Sequence, residues 1–350
     1  MDQATTRFGM ERELVLQKLF PEGFPTLWCP LVTHYADGGG VDRERMRAHL
    51  VHLSPHVGGF LIAGSTGDGW EMDDAEAGAL IECVTDEIRT LKRKALVGAL
   101  RYETEAVLRS IADSLARLKR RSGATDDWEA MIRSSVSGFT VCAPHGKEKT
   151  QDEILAALEK VLSLGLPTSL YQLPQITENE ISPETVAALA EKYPNFYLFK
   201  DTSGKDRVAR AGQDQVLLLR GAEGDYAEHL ALSGGDYDGF LLSTANCFGR
   251  ELHAIRDDLK TGHAARAESM TRKLTSVVDA AFGLAAKLPH GNAFANANKA
   301  MDHFYAHGPR AAEAPTPRIR DGRRLPEEMV RAVGEILLRH DLMPVKGYLE

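Results

Sequence analysis

The 350-residue chain has only four cysteines, and no two of them form a Cys-x-x-Cys pair. Cys29, Cys83, Cys142 and Cys247 are widely spaced, and three of them sit in or beside apolar runs. That argues for buried free thiols and against a disulfide framework or a zinc site. A basic surplus is also missing. The formal net charge is -8 and the pI is near 5.9, the opposite of a nucleic-acid footprint. The one dense basic run, Lys119-Arg120-Arg121, has no interleaved aromatics and reads as a solvated helix end. No uncharged apolar run approaches the length of a membrane span, and Met1 to Glu13 carries charges without an apolar stretch of signal-peptide length. The expected compartment is the cytoplasm, with neither nucleic acid nor membrane as partner. A Gly-x-Gly-x-x-Gly between strand and helix is absent too. Its absence weakens an open doubly wound sheet, which ranks second as an architecture. Gly38-Gly39-Gly40 leads into a helix cap at Asp42 and is expected to be a turn.

What the chain does have is alternation. Strand-like runs fall at Thr26–Val32, Gly58–Ala63, Lys94–Leu100, Gly138–Ala143, Pro167–Tyr171, Phe196–Lys200, Val216–Arg220 and Asp238–Leu242. Between them lie helix-period segments at Asp42–Leu53, Asp73–Leu91, Glu103–Leu118, Thr150–Leu164, Ser182–Tyr193 and Tyr226–Leu232. Asp73, Thr150 and Ser182 are placed as N-caps, with Glu153 completing a capping box, and Gly165 closes a helix. Eight strands separated by helices predict an α/β fold, a (β/α)8 TIM barrel with a C-terminal helical extension. The expected organisation is a lead-in over 1–25, the barrel over 26–245 and a helical region over 246–350. The polar stretch 119–137 is long for a barrel connection and reads as an insertion with a short helix around Trp128–Arg133. The tail is helical to about Leu342, broken at Pro289–Gly291 and Ala311–Arg324.

Barrel chemistry sits where strands end, and the unusual motifs fall there: Gly64-Ser65-Thr66-Gly67-Asp68, Tyr171-Gln172-Leu173-Pro174, Lys200-Asp201-Thr202-Ser203-Gly204 and Leu242-Ser243-Thr244-Ala245-Asn246. Lys200 ends the apolar run Phe196–Phe199. Desolvation there lowers the amine's pKa, and a neutral amine can attack a ketone carbon to form an imine. The bland alternative is a lysine snorkelling out to pair with Asp201. Tyr171 ends the neighbouring strand, where its phenol is placed to shuttle a proton, although a lone tyrosine is more often a core aromatic. The Gly64–Gly67 turn offers amides and two hydroxyls to a carboxylate.

Together these motifs resemble the dihydrodipicolinate synthase / N-acetylneuraminate lyase family of class I aldolases. The resemblance runs from about Thr26 to Asn246 and is strongest from Ile181-Ser182-Pro183-Glu184-Thr185 to Gly204. It implies that Lys200 is the Schiff-base lysine and Tyr171 the proton-relaying tyrosine. Ser65 and Thr66 would grip the carboxylate of pyruvate, and Leu241 would flank the pyruvyl group. No metal and no organic cofactor is implied beyond the covalent imine, and a homo-oligomer, dimer or tetramer, is expected.

Two departures bear on the substrate. Ile176, preceded by Gln175, stands where the synthases carry an arginine for the aldehyde's carboxylate. Pro144-His145-Gly146 replaces their Pro-Tyr-Tyr, leaving His145 as a candidate proton carrier that is otherwise a surface histidine. The lyase side fits better. Ser243, Thr202 and Glu223 match positions that bind substrate hydroxyls, while Gly224 lacks a second acid found in sialate lyases. The expected reaction is therefore cleavage or formation of a keto-deoxy sugar acid from pyruvate and an aldehyde. The alternatives are a dihydrodipicolinate synthase-like condensation, a dehydratase of the same family, and a catalytically weak 2-oxo-acid-binding protein. His49, His52 and His56 share helical spacing but read as a partly exposed helix face. Asn292, Asn296 and Asn298 with Lys299 read as caps and packing in preference to lining of the barrel mouth, and the acids at Asp73, Asp74 and Glu76 as a favourable helix start.

Overall fold

The computed structural model describes residues 7–350, so the first six residues of the expected lead-in lie outside the described residues. Helix α1 (Met10–Leu19) precedes β1 (Leu27–Pro30), followed by α2 (Arg43–Leu53), β2 (Gly59–Ile62), α3 (Asp74–Thr90) and β3 (Lys94–Gly98). Next come α4 (Thr104–Ser122), α5 (Asp127–Arg133), β4 (Val136–Cys142), α6 (Gln151–Leu162) and β5 (Thr168–Gln172). The barrel is completed by α7 (Pro174–Thr177), α8 (Pro183–Lys192), β6 (Phe196–Asp201), α9 (Arg207–Arg210), β7 (Leu217–Arg220) and β8 (Gly239–Leu241). Helices α10 (Ala245–Lys260), α11 (Ala264–Ala285), α12 (Ala293–His307) and α13 (Glu327–Arg339) form the tail. The eight strands run parallel in sequence order and close, β8 pairing with β1. This is the TIM barrel the alternation predicts.

Alternation along each strand divides the apolar residues between two layers. Leu27, Phe60, Ile62, Val97, Leu218 and Phe240 face outward and pack under the helices. Trp28, Leu61, Leu96, Leu198, Leu219 and Leu241 face inward and fill the barrel, joined by Tyr197 where the β5–β6 register shifts. Helix α1 closes the N-terminal end: Leu19 and Phe20 join the inner layer, and buried Arg12 donates to the carbonyls of Phe196 (2.8 Å), Tyr193 (3.1 Å) and Ala190. The lower barrel is thus solid, and only the C-terminal face is open to chemistry. Among the described residues, no helix is long and apolar enough to cross a membrane.

One expectation needs correction. Tyr226–Leu232 is not a helix; only a 3-10 turn, Ala231–Ser233, forms there. Asp225 and Gly234 have left-handed φ values of 47° and 87°, which interrupt helical propagation on both sides. The stretch 119–137 holds the expected short helix as α5 (Asp127–Arg133). Helix α4 continues to Ser122 and is stopped by Gly123 (φ 68°). Asp126 then caps α5 by accepting from the Glu129 amide, and β4 starts at Val136. Capping boxes at Asp73 and Thr150 form as their sequences predict.

Candidate active site

The inward register of β6 carries Lys200 above the inner apolar layer, while Asp201 faces outward and accepts the Ser203 amide (2.8 Å). The snorkelling pair with Asp201 is therefore not formed. Lys200 is only 3% exposed. Burial pulls its pKa from 10.5 down to about 7, against the opposing influence of Cys142 and Glu223. Its side chain runs past Gly221, where a Cβ would lie 2.7 Å from Lys200 Cε and 2.5 Å from Thr202 Cγ2. A side chain at 221 would occupy the space that the lysine needs.

Tyr171 pairs in register with Lys200 across β5 and β6. The Lys200 Nζ lies 3.9 Å from the Tyr171 ring centroid. Burial, then the neighbouring Cys142, raises the phenol's pKa, so the hydroxyl stays protonated, in contact with Thr202. Behind the ring, Trp70, Leu100, Cys142 and Leu173 form a small apolar cluster that fixes its position.

Ser65–Gly67 is a single 3-10 turn at the end of β2. The amides of Gly67 and Gly69 donate to Gly64 O, and that of Asp68 to Ser65 O. Ser65 and Thr66, as the first residues of a helical turn, have amides with no acceptor inside it. Both residues line the cavity, and a turn with free amides of this kind is suited to a carboxylate.

Glu223 and Ser243 meet on the far side. Glu223 Oε1 accepts from Ser243 Oγ (2.7 Å) and the Thr244 amide (3.1 Å). Its Oε2 accepts from Thr244 Oγ1 (2.6 Å) and Tyr226 OH (3.0 Å). A carboxylate has about four lone-pair sites, so Glu223 is saturated by protein donors. It orients the β8 end rather than offering oxygens to a ligand. Ser243, whose proton is spent on Glu223, faces the cavity as an acceptor.

Lys200, Tyr171, Ser65, Thr66, Thr202, Glu223 and Ser243 line one cavity of about 280 Å³. Leu241 and His145 do not join them. Leu241 is one inward step below Ser243, within the solid apolar layer. His145 sits outside the mouth with its side chain 40% exposed, edge-on to Tyr102 and 3.7 Å from Glu178. The β4 connection turns away at Gly146, which donates to Thr177 O. Leu173, Ser203 and Gly204, from the strand-end motifs, and Gln175 line the cavity too, while several lining residues were not foreseen: Gly221 and Ala222 from a barrel loop, and Val278, Asp279, Phe282 and Phe294 from α11 and α12. The short Gly221-Ala222-Glu223 strand end was a usable signal. The tail residues carried none, because no local spacing announces contact with a distant strand.

The histidine face also differs from expectation. His49 is fully buried, its Nδ1 3.1 Å from His34 Nε2 and its Nε2 2.9 Å from Asn246 O. The acidic partner missing from its own helix is Asp302 of α12, 3.5 Å away. Arg45 (2.7 Å) and Tyr348 (3.0 Å) already bind that carboxylate. Burial lowers the pKa of His34 and His49, against the opposing pull of Asp302. The cluster is a satisfied polar joint between α2, α10 and α12.

An inward lysine of near-neutral pKa, beside a protonated phenol and a turn with free amides, is the set of groups that imine chemistry on a 2-oxo acid requires. The profile of the dihydrodipicolinate synthetase family matches residues 126–291. A 4-hydroxy-tetrahydrodipicolinate synthase of Streptomyces coelicolor is 27% identical over 273 residues, 75% of this chain and 79% of its own. That of Xanthomonas campestris is 26% identical over 251 residues, 70% and 76% of the two chains. In fold, the chain is similar to an E. coli prophage protein of the dihydrodipicolinic acid synthase family solved with pyruvate (TM-score 0.71, 19% identity, 91% of this chain and 99% of that one). It is also similar to KD(P)GA from T. tenax (TM-score 0.68, 18% identity, 90% and 99%). The chain is thus similar to the dihydrodipicolinate synthetase family over nearly half its length and to 4-hydroxy-tetrahydrodipicolinate synthases over 70% or more of it, and these matches support an enzyme of the carbon–carbon lyase type.

Proposed function

We propose that this enzyme joins pyruvate to an uncharged aldehyde, or releases the two, through an imine on Lys200, with a short keto-deoxy sugar acid as the combined product. The observation that carries this reading is the placement of Lys200 Nζ in a cavity lined by Tyr171, Ser65 and Thr66. The neutral amine adds to C2 of the 2-oxo acid, the oxygen leaves as water, and an iminium remains. Loss of a C3 proton gives the enamine. Its C3 attacks the aldehyde carbon, whose oxygen takes up a proton, and hydrolysis of the iminium restores the amine. Cleavage follows the same steps backwards. Tyr171, whose protonated phenol lines the same cavity, is the group we assign to moving these protons.

The choice of aldehyde rests on charge. Among the described residues, Lys200 is the one cationic side chain lining the cavity, and Ile176 offers no guanidinium. A semialdehyde carrying a second carboxylate, or a phosphorylated aldehyde, would meet Glu223 and Asp279 without a compensating cation. The hydroxyls of Thr202, Ser203 and Ser243 and the amide of Gln175 suit a neutral polyol chain. The same reading carries the expectation of a cytoplasmic homo-oligomer.

The test is a panel of 2-keto-3-deoxy acids assayed for pyruvate release, with aspartate semialdehyde plus pyruvate as the competing condensation. Release from neutral-chain acids supports the reading. Preference for the semialdehyde, or dehydration without pyruvate release, would overturn it, and pyruvate binding without turnover would point to a binding protein.

A further inference from the structure

We propose that α12 holds the carboxylate-binding turn in its working shape through Asn292 and Lys299, positioning residues that set how tightly the 2-oxo acid binds. The proposal rests on the assignment of Lys200 as the imine-forming residue and of Ser65–Gly67 as the carboxylate receptor.

A single 3-10 turn supports itself poorly, and amides aimed at an anion work only while their peptide planes are held. Here both ends of the turn are gripped by one helix. At the first end, Asn292 Nδ2 donates to Ser65 O (2.9 Å). The same side chain caps α12, its Oδ1 accepting from the amides of Phe294 (2.9 Å) and Ala295 (3.2 Å). At the other end, Asp68 is held in a left-handed conformation (φ 64°). Its Oδ2 receives Lys299 Nζ (3.0 Å) and Tyr35 OH (2.9 Å). Lys299 is 1% exposed, and its ammonium lies 4.6 Å from the Tyr35 ring centroid. Asn292 and Lys299 are two helical turns apart and so project from the same side of α12. Thr33 Oγ1 adds a third hold by donating to Gly67 O (2.8 Å).

A buried lysine–carboxylate pair is a poor choice for stability, since its desolvation cost rivals its attraction and an apolar pair would serve as well. Its directional geometry does what an apolar pair cannot: it fixes one group relative to another. The group fixed here is the turn that must present Ser65 and Thr66. Phe294, two residues beyond Asn292, forms part of the cavity wall, so α12 sets the receptor and the wall together.

The experiment is borohydride trapping of pyruvate on the full-length enzyme as a function of pyruvate concentration, read as adduct mass on the Lys200 peptide. Asn292→Ser keeps the helix cap but is too short to reach Ser65. The double variant Asp68→Asn with Lys299→Met removes the buried pair without stranding either charge. Asn292→Ser is expected to raise the half-saturating pyruvate concentration about fivefold to tenfold, the weight of one hydrogen bond. The limiting trapping rate should stay within about twofold of the parent, and the double variant should shift half-saturation at least as far. Unchanged half-saturation in a normally folded Asn292→Ser, or a fall in the limiting rate alone, overturns the proposal. If the double variant does not fold, Asn292→Ser decides by itself. A parent enzyme that traps no 2-oxo acid removes the Lys200 assignment, and the clamp with it, a result distinct from failure of the clamp alone.

Discussion

Lys200 and Tyr171 face each other across neighbouring strands in register, with the ammonium nitrogen 3.9 Å from the centre of the phenol ring. Two effects compete there. The ring face favours the charged amine by about 0.5–2 kcal/mol, whereas the fall in pKa from 10.5 to about 7 corresponds to about 5 kcal/mol against it. Burial wins, and near neutral pH the nitrogen has a substantial share of the free base that carbonyl attack requires.

That balance predicts a pH profile. Only the neutral amine attacks, so the initial rate of borohydride trapping with pyruvate should climb as pH rises from 6 to 8, with a midpoint near 7, and then level off. Stopped-time trapping on a pH series checks it; a midpoint near 10 would mean that the amine is not desolvated in solution.

The same shift has a cost in stability. Folded Lys200 releases its proton near pH 7, while the unfolded chain keeps it to 10.5, so between these values the unfolded state binds more protons and stability rises with pH. Lys200→Met should therefore stabilise the fold, by a few kcal/mol at pH 7, and the gain should shrink towards pH 10. Denaturant unfolding of both proteins at the two pH values measures it.

Gly221 tests the space around the amine. Gly221→Ala puts a methyl group 2.7 Å from Lys200 Cε, and displacing a reacting atom by about 1 Å costs on the order of a hundredfold in rate. Trapping should fall by that order while circular dichroism stays at the parent's level. An unaffected adduct would show that Lys200 takes another path to the cavity.

The eight strands and the lysine were legible because short apolar runs end in residues that do not belong in a core. Glu223 and Ser243 were legible through the family resemblance, but Glu223's four protein donors were not, since Ser243 and Thr244 meet it only once β7 and β8 are paired. Leu241 illustrates a limit of position matching: it faces inward as expected, yet one layer too deep to touch a ligand. His49 shows the complementary limit, because Asp302 and His34, which make its burial tolerable, come from elements remote in sequence. The α11 and α12 wall was invisible for the same reason.

Asp302 provides a prediction away from the cavity. Burial opposes its ionisation, yet His49 and Arg45 beside it, with His34, hold its carboxyl well below the usual carboxylate range. Its stabilising contribution is therefore present above the ordinary pKa of 3.8 and lost as pH falls below it. Asp302→Asn should destabilise the fold by about 3 kcal/mol at pH 7, and the difference from the parent should narrow as the solution is acidified. Thermal melts at pH 7 and below pH 4 test both halves of the statement.

The central claim is that Lys200 forms an imine with a 2-oxo acid. Incubation with pyruvate and sodium borohydride, followed by intact mass and peptide mapping, addresses it directly. The account predicts one reduced pyruvyl adduct, located on Lys200 and absent from Lys200→Ala. A folded parent enzyme that takes up no adduct from pyruvate or any other 2-oxo acid, or one labelled at a different lysine, would contradict it.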